Sequence, residues 1–147
     1  MKISIGADHR GHNLKNELIK HLTSKGFEVE DVGSFTPDSV DYPDYTKLVG
    51  TSVASGKSQY GVLMCGSGIG VSIAANKSKG IRAVNACNPE IARMSRLHNN
   101  ANVICFGADF IKFDEAVISL ETFINTEFEG GRHQRRVEKI SDIENNQ

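Results

Sequence analysis

Short apolar runs alternate with stretches of helical apolar spacing along this chain, and few folds accept that alternation. Lys2-Ile3-Ser4-Ile5-Gly6-Ala7 alternates and then breaks at Asp8-His9-Arg10-Gly11, which reads as a strand and a loop. Leu14, Leu18, Ile19 and Leu22 follow at helical spacing, and Lys25-Gly26 ends that helix. Phe27 to Val32 is a second alternating strand. Gly33 to Asp44, with Pro37 and Pro43, reads as a turn-rich stretch, after which Tyr45, Leu48, Val49 and Val53 make a second helical face. Tyr60 to Met64 is a third strand, a third helix starts near Ser67, and Gly80 to Val84 is a fourth strand. Asn88-Pro89-Glu90 opens a fourth helix, with a capping residue and then Pro at the first helical position, and it runs to about His98. Asn102 to Phe106 is a fifth strand and Asp114 to Thr126 a fifth helix. A basic helix from Arg132 to Glu144 follows the break at Gly130-Gly131.

Strand and helix therefore alternate five times, which predicts an α/β fold. The expected form is a three-layer α-β-α sandwich on a five-stranded parallel sheet, Rossmann-like, with right-handed crossovers and a C-terminal helix. The strand order expected for a doubly wound sheet of this size is 2-1-3-4-5. That order sets the loops after strands one and three across a crevice, with Asp8-His9 opposite Cys65 to Gly70. No repeat or linker divides the chain, so residues 1–147 read as one domain.

Charge and cysteine usage remove several classes of function. The formal net charge is -1, which argues against a nucleic-acid or anionic-membrane partner held by bulk charge. No apolar run approaches the roughly 18 residues of a membrane span, and Met1-Lys2 leads straight into a strand rather than a signal peptide. Cys65, Cys87 and Cys105 are odd in number and lack C-x-x-C spacing, so the expectation is no disulfide framework, no zinc site and a reducing cytoplasm.

The chemistry concentrates in Cys65-Gly66-Ser67-Gly68-Ile69-Gly70, between the third strand and its helix. Glycines there let the backbone fold closely and turn N–H groups outward, and the helix behind adds roughly half a positive charge. Such a loop suits a phosphate or an oxyanion formed during a reaction. A dinucleotide fails on spacing, because the third glycine of G-x-G-x-x-G is missing and the loop follows the third strand rather than the first. A P-loop fails because no Gly-Lys-Ser/Thr closes it. Cys65 alone would read as a small buried hydrophobe, but beside those N–H groups its sulfur gains thiolate character. Cys105 reads as strand core, and Cys87 is undecided.

Other candidates carry an ordinary reading as well. Asp8 and His9 suit a turn. His98 suits a helix C-terminus, and about ten residues at 1.5 Å each carry it some 15 Å from the face where Cys65 lies. A catalytic His98 therefore serves a neighbouring subunit. Arg132 and Arg136, four apart, face the same way as a phosphate clamp does, whereas Arg135 and Lys139 fit a solvated basic face. No H-x-x-x-H and no cluster of carboxylates at strand ends suggests a metal.

Together these segments stand in one order: Gly6-Ala7-Asp8-His9, Asp41-Tyr42-Pro43, Cys65 to Gly70, Ala74-Ala75-Asn76-Lys77, Gly80-Ile81-Arg82-Ala83, His98-Asn99-Asn100-Ala101-Asn102-Val103 and Glu129 to Val137. Over nearly its whole length the chain resembles the sugar-phosphate isomerase family that holds ribose-5-phosphate isomerase B and the galactose-6-phosphate isomerase subunits. The resemblance implies aldose–ketose isomerisation of ribose 5-phosphate and ribulose 5-phosphate through a cis-enediolate, with no metal or cofactor, in pentose phosphate metabolism. It implies that Cys65 is the base, that His98 assists ring opening and that Ser67 shares the catalytic centre. Gly66, Ser67, Gly68, Ile69 and Gly70 then hold the enediolate, and Asp8, His9, Tyr42, Asn99 and Asp109 belong to the substrate site. Arg132 and Arg136 bind phosphate. The implied assembly is a homodimer, or a tetramer, with active sites shared between subunits. Many relatives carry Arg at the position of Asp109, and a carboxylate near phosphate repels it. Either Asp109 points away, or Lys112 substitutes, or the preferred sugar differs. The alternatives are a hexose 6-phosphate substrate, allose or galactose 6-phosphate, and a non-catalytic sugar-phosphate-binding module.

Overall fold

Val103-Ile104-Cys105-Phe106-Gly107 offers no polar side chain to either face, and every one of these residues is buried. A strand of that composition belongs inside a sheet that is covered on both sides. In the computed structural model, which describes residues 1–147, it does lie inside. The strands are β1 (Lys2–Ala7), β2 (Glu28–Asp31), β3 (Tyr60–Cys65), β4 (Ala83–Asn85) and β5 (Val103–Gly107). They run parallel in the order β2-β1-β3-β5-β4. The expected order 2-1-3-4-5 is thus corrected at its end, where β5 pairs with β3 and β4 takes the edge. β4 has three residues, all partly exposed, and a short edge strand presents little unpaired backbone.

Six helices surround the sheet: α1 (His12–Ser24), α2 (Tyr42–Ala54), α3 (Ile69–Ala75), α4 (Pro89–Asn99), α5 (Phe113–Asn125) and α6 (Arg132–Asn145). Leu14, Leu18 and Leu22 of α1, Ala92 of α4 and Leu120 and Phe123 of α5 pack with Val62 and Met64 on one face. Val49 and Val53 of α2 and Val71 and Ala75 of α3 pack with Leu63 and Cys65 on the other. The period of two along β3 thus sends Cys65 toward α2 and α3.

Several boundaries differ from expectation. α2 begins at Tyr42, inside the stretch read as turn, because Pro43 at its first turn needs no N–H partner and already has helical φ. α3 starts at Ile69 rather than Ser67, so residues 66–68 are loop. β4 begins at Ala83, since side chains tie Gly80 and Arg82 instead: Glu144 accepts the Gly80 N–H at 2.8 Å and Asn102 Oδ1 accepts the Arg82 N–H at 2.8 Å.

The C-terminal end of α4 is held by Arg96, which is buried and donates to the backbone oxygens of Thr126 and Ala101 at 3.2 and 2.6 Å. At the N-terminal end the Asn88 side chain accepts the Ile91 N–H at 2.9 Å. Asn88→Ala is expected to cost about 1 kcal/mol in urea unfolding.

α6 meets α4 through His133, whose ring stacks on His98 with centroids 4.1 Å apart. His133 is buried, and burial together with the nearby His98 holds it below its ordinary value of 6.5. The unfolded chain then binds the proton more readily, so stability falls as pH drops below about 6.5. The melting temperature is expected to decline from pH 7.5 to 5.5, and to decline less steeply in His133→Gln.

Candidate active site

Three loops meet at the C-terminal ends of β1, β3 and β5, which are neighbours in the sheet. With the first residue of α2 they enclose an open cavity of about 520 Å³. Asp8, Tyr42, Cys65, Gly66, Ser67, Ile69, Gly70 and Asp109 all line it, together with Arg10, Ile73 and Phe110.

The β3 loop is built around its own sulfur. Cys65 ends the strand, only 4% exposed, and its Sγ accepts the Gly68 N–H at 3.2 Å. Gly68 has a φ of 77°, and a Cβ there would overlap Asn85 and come within 2.8 Å of the Gly107 nitrogen. Only glycine meets both demands. Asn85 also donates to the Ser67 carbonyl at 3.3 Å, while Ser67 Oγ accepts the Ile69 N–H at 3.2 Å and keeps its own proton free to donate. The Tyr42 ring lies directly on Gly70, where a side chain would collide with it. The N–H groups of Gly66, Ser67 and Gly70 have no acceptor within the chain. N–H donors left open beside a sulfur are what an oxyanion formed there requires.

The β1 loop supplies Asp8, which is buried and accepts the N–H groups of Arg10 and Gly11 on Oδ1 at 3.0 and 3.2 Å. This is a turn role, and it leaves Oδ2 for a ligand. His9 accepts the Val40 N–H on Nδ1 at 3.2 Å, which assigns the proton of the neutral ring to Nε2. His9 steadies the chain before α2 and does not line the cavity.

The β5 loop brings Asp109. Its backbone N–H donates to Gly66 and that of Ala108 to Cys65, at 3.0 and 2.8 Å. The Asp109 carboxylate accepts Nε and Nη2 of Arg10 at 2.9 and 2.6 Å. The carboxylate therefore lines the cavity rather than pointing away, with its charge offset by Arg10. Arg10 was not among the residues that the sequence singled out. The one signal for it was its place after Asp8-His9.

His98, Asn99, Arg132 and Arg136 lie elsewhere. His98 and Asn99 end α4, beside the residues that enter β5. Cys65 pairs with Gly107, where β5 leaves the sheet. Five residues of strand at about 3.3 Å each, roughly 15 Å, separate the two places. Arg132 and Arg136 are exposed on the first turns of α6, on either side of the buried His133.

Around His98 a second cluster forms. Glu129 Oε2 lies 3.6 Å from His98 Nε2 and 3.8 Å from His133 Nε2, and His133 Nε2 has no hydrogen bond. The three ligand atoms lie within 4.8 Å of one another, a grouping that no linear spacing announces. The two rings are nearly parallel, at 13°. Nitrogen lone pairs in parallel planes about 4 Å apart do not converge on one ion at the ~2.1 Å that zinc needs. Both rings thus face one carboxylate without a direct hydrogen bond to it. Cys105 is wholly buried, and burial followed by the nearness of Cys65 pushes its thiol up; Cys87 is exposed.

The sequence profile of the Ribose/Galactose Isomerase family matches residues 3–140. Ribose-5-phosphate isomerase B of Escherichia coli is 45% identical over 143 residues, which cover 97% of this chain and 96% of that protein. A structure of ribose-5-phosphate isomerase B from Clostridium thermocellum superposes with a TM-score of 0.98 at 47% identity, covering 99% of both chains. The Mycoplasma genitalium enzyme with bound ribulose-5-phosphate superposes with a TM-score of 0.96 at 40% identity, covering 99% of this chain and 97% of that one. On sequence and on architecture alike, the chain belongs to the ribose/galactose isomerase family.

Proposed function

We propose that residues 1–147 form a single sugar-phosphate isomerase domain that interconverts ribose 5-phosphate and ribulose 5-phosphate. The observation that carries this reading is the set of free N–H groups of Gly66, Ser67 and Gly70 around the sulfur of Cys65. Isomerisation moves one proton between C2 and C1 while negative charge appears on the oxygens of those carbons. A base beside preorganised donors is the machinery that step needs.

In the proposed reaction the open-chain aldose places C2 against Cys65. The thiolate takes the C2 proton, and the electron pair of that C–H bond forms the C1–C2 double bond. The C1 carbonyl electrons move onto its oxygen, where the loop N–H groups receive them. Cys65 then returns the proton to C1 as the C2 oxygen becomes the carbonyl, and the Ser67 hydroxyl carries the proton exchanged between the two oxygens. Asp8 and Tyr42, with Asn99 of a neighbouring copy, bind sugar hydroxyls, and His9 holds the chain that leads into α2 and Tyr42. No step calls for a metal or a redox cofactor.

His98 opens the sugar ring, and Arg132 and Arg136 hold the phosphate, each acting in the cavity of a neighbouring copy. Support comes from the separation of the two half-sites and from apolar side chains left in water at the rim of the cavity: Ile69 at 56%, Ile73 at 58% and Phe110 at 83% exposure. A homodimer, or a tetramer of two such dimers, covers that rim and completes each site. Free cysteines and pentose phosphate chemistry suit the cytoplasm.

Asp109 favours no change of sugar, since Arg10 already offsets its charge. A panel of pentose and hexose phosphates is expected to give the highest kcat/KM on ribose 5-phosphate. Preference for allose or galactose 6-phosphate would replace the substrate, and no turnover of any sugar phosphate would leave a binding module. Cys65→Ala is expected to lower kcat by about 10²–10⁴-fold. Cys65→Ala and His98→Ala chains, each inactive alone, should regain activity when mixed into heterodimers. A verified heterodimer without activity would refute the shared site.

A further inference from the structure

Arg10 is the single cation among the residues that line the Cys65 cavity, whose other charged groups, Asp8 and Asp109, are carboxylates. A dianionic sugar phosphate entering that cavity meets one positive group of the same chain. The position of that group is constrained at both ends. Its backbone N–H donates to Asp8 Oδ1 at 3.0 Å, where the chain leaves β1. Its side chain donates from Nε and Nη2 to the same Asp109 oxygen, at 2.9 and 2.6 Å. The Asp109 backbone in turn donates to Gly66 at 3.0 Å. The guanidinium therefore lies across the β3 loop, so close that a Cβ on Gly66 would come within 2.8 Å of both Arg10 Nε and Asp109 Oδ2.

A guanidinium has five N–H groups. Asp109 uses two of them, and on one oxygen only, so three remain free, both of those on Nη1 among them. The side chain is still 59% exposed, so those groups face water at the cavity. A flexible arginine in solvent gains little from a surface ion pair. Here the pair fixes the plane of the fork beside the free N–H groups of the loop, and a planar fork is matched to phosphate oxygens.

Resting on the isomerase reading, we infer that Arg10 is the phosphate-binding cation which each chain contributes to its own Cys65 cavity, and that Asp109 is its positioning residue. The carboxylate that would repel phosphate serves instead to aim the group that binds it. Arg132 and Arg136 of the neighbouring copy then share the phosphate with Arg10.

Three variants test this: Arg10→Gln, Arg10→Lys and Asp109→Asn. Loss of charge-assisted hydrogen bonds to a phosphate is expected to raise KM for ribose 5-phosphate about tenfold or more in Arg10→Gln, with kcat within about threefold. The inhibition constant of inorganic phosphate should rise in parallel. Arg10→Lys should recover only part of the loss, because a point charge does not replace the fork. Asp109→Asn should raise KM by a smaller factor, and by no more in the Arg10→Gln background. Calorimetric binding of inorganic phosphate supplies a readout independent of turnover. Arg10→Gln with KM and phosphate binding within twofold of the parent overturns the inference, as does a fall in kcat at unchanged KM. A parent that turns over ribose 5-phosphate while Arg10→Gln changes nothing removes this inference alone. A parent inactive on ribose 5-phosphate that still loses phosphate binding in Arg10→Gln removes the isomerase reading alone.

Discussion

The arrangement of the cavity depends on one packing constraint, the burial of β5 on both faces. A strand of Val, Ile, Cys and Phe gains most where helices cover it on either side, and the interior position next to β3 is the one that offers this. The chain reaches it by sending β4 past to the edge and returning through α4. Two results follow from that detour. The turn after β5 abuts the Cys65 loop, with Ala108 and Asp109 bonded to the backbone of Cys65 and Gly66. The far end of α4 carries His98 to the opposite ends of the strands, away from the sulfur of its own chain.

Much of this was legible in the residues. Period-two runs and helical spacings located all five strands and six helices, because each burial pattern writes itself directly into local sequence. The glycine loop was legible for the same reason, since a tight strand-to-helix turn needs glycine at fixed places. Strand order was not, because the exchange of β4 and β5 is decided by the burial of whole strands against one another. Gly80-Ile81-Arg82 looked like strand by composition, yet Glu144 and Asn102, remote in sequence, take its hydrogen bonds. Arg10 escaped notice because its significance comes from a partner 99 positions away. The Glu129–His133 pair beside His98 was hidden likewise, and the three residues converge only once α6 packs on α4.

Two kinds of histidine environment now stand in contrast. His9 has a committed nitrogen and a defined tautomer, which suits a fixed structural contact. His98 is partly exposed, stacked on the buried ring of His133 and near a carboxylate that bonds neither ring closely. Glu129 Oε2 lies 3.6 Å from His98 Nε2, beyond direct hydrogen-bond distance. His133 itself is held below its ordinary value, by burial first and by the nearby His98 second.

Apart from Tyr42 and Ile73, the cavity draws on Asp8, Arg10, the loop from Cys65 to Gly70, Asp109 and Phe110, carried by the three central strands, while the edge strand β4 contributes a supporting bond through Asn85. Such a site has no local precursor. No contiguous segment of the chain contains it, and it comes into existence only when pairings separated by nearly sixty and some forty residues have both closed. Catalytic competence is thereby tied to the most cooperative part of the molecule. Fraying at β2 or β4 spares the strands that carry the cavity, whereas parting β3 from either neighbour dismantles it together with the core.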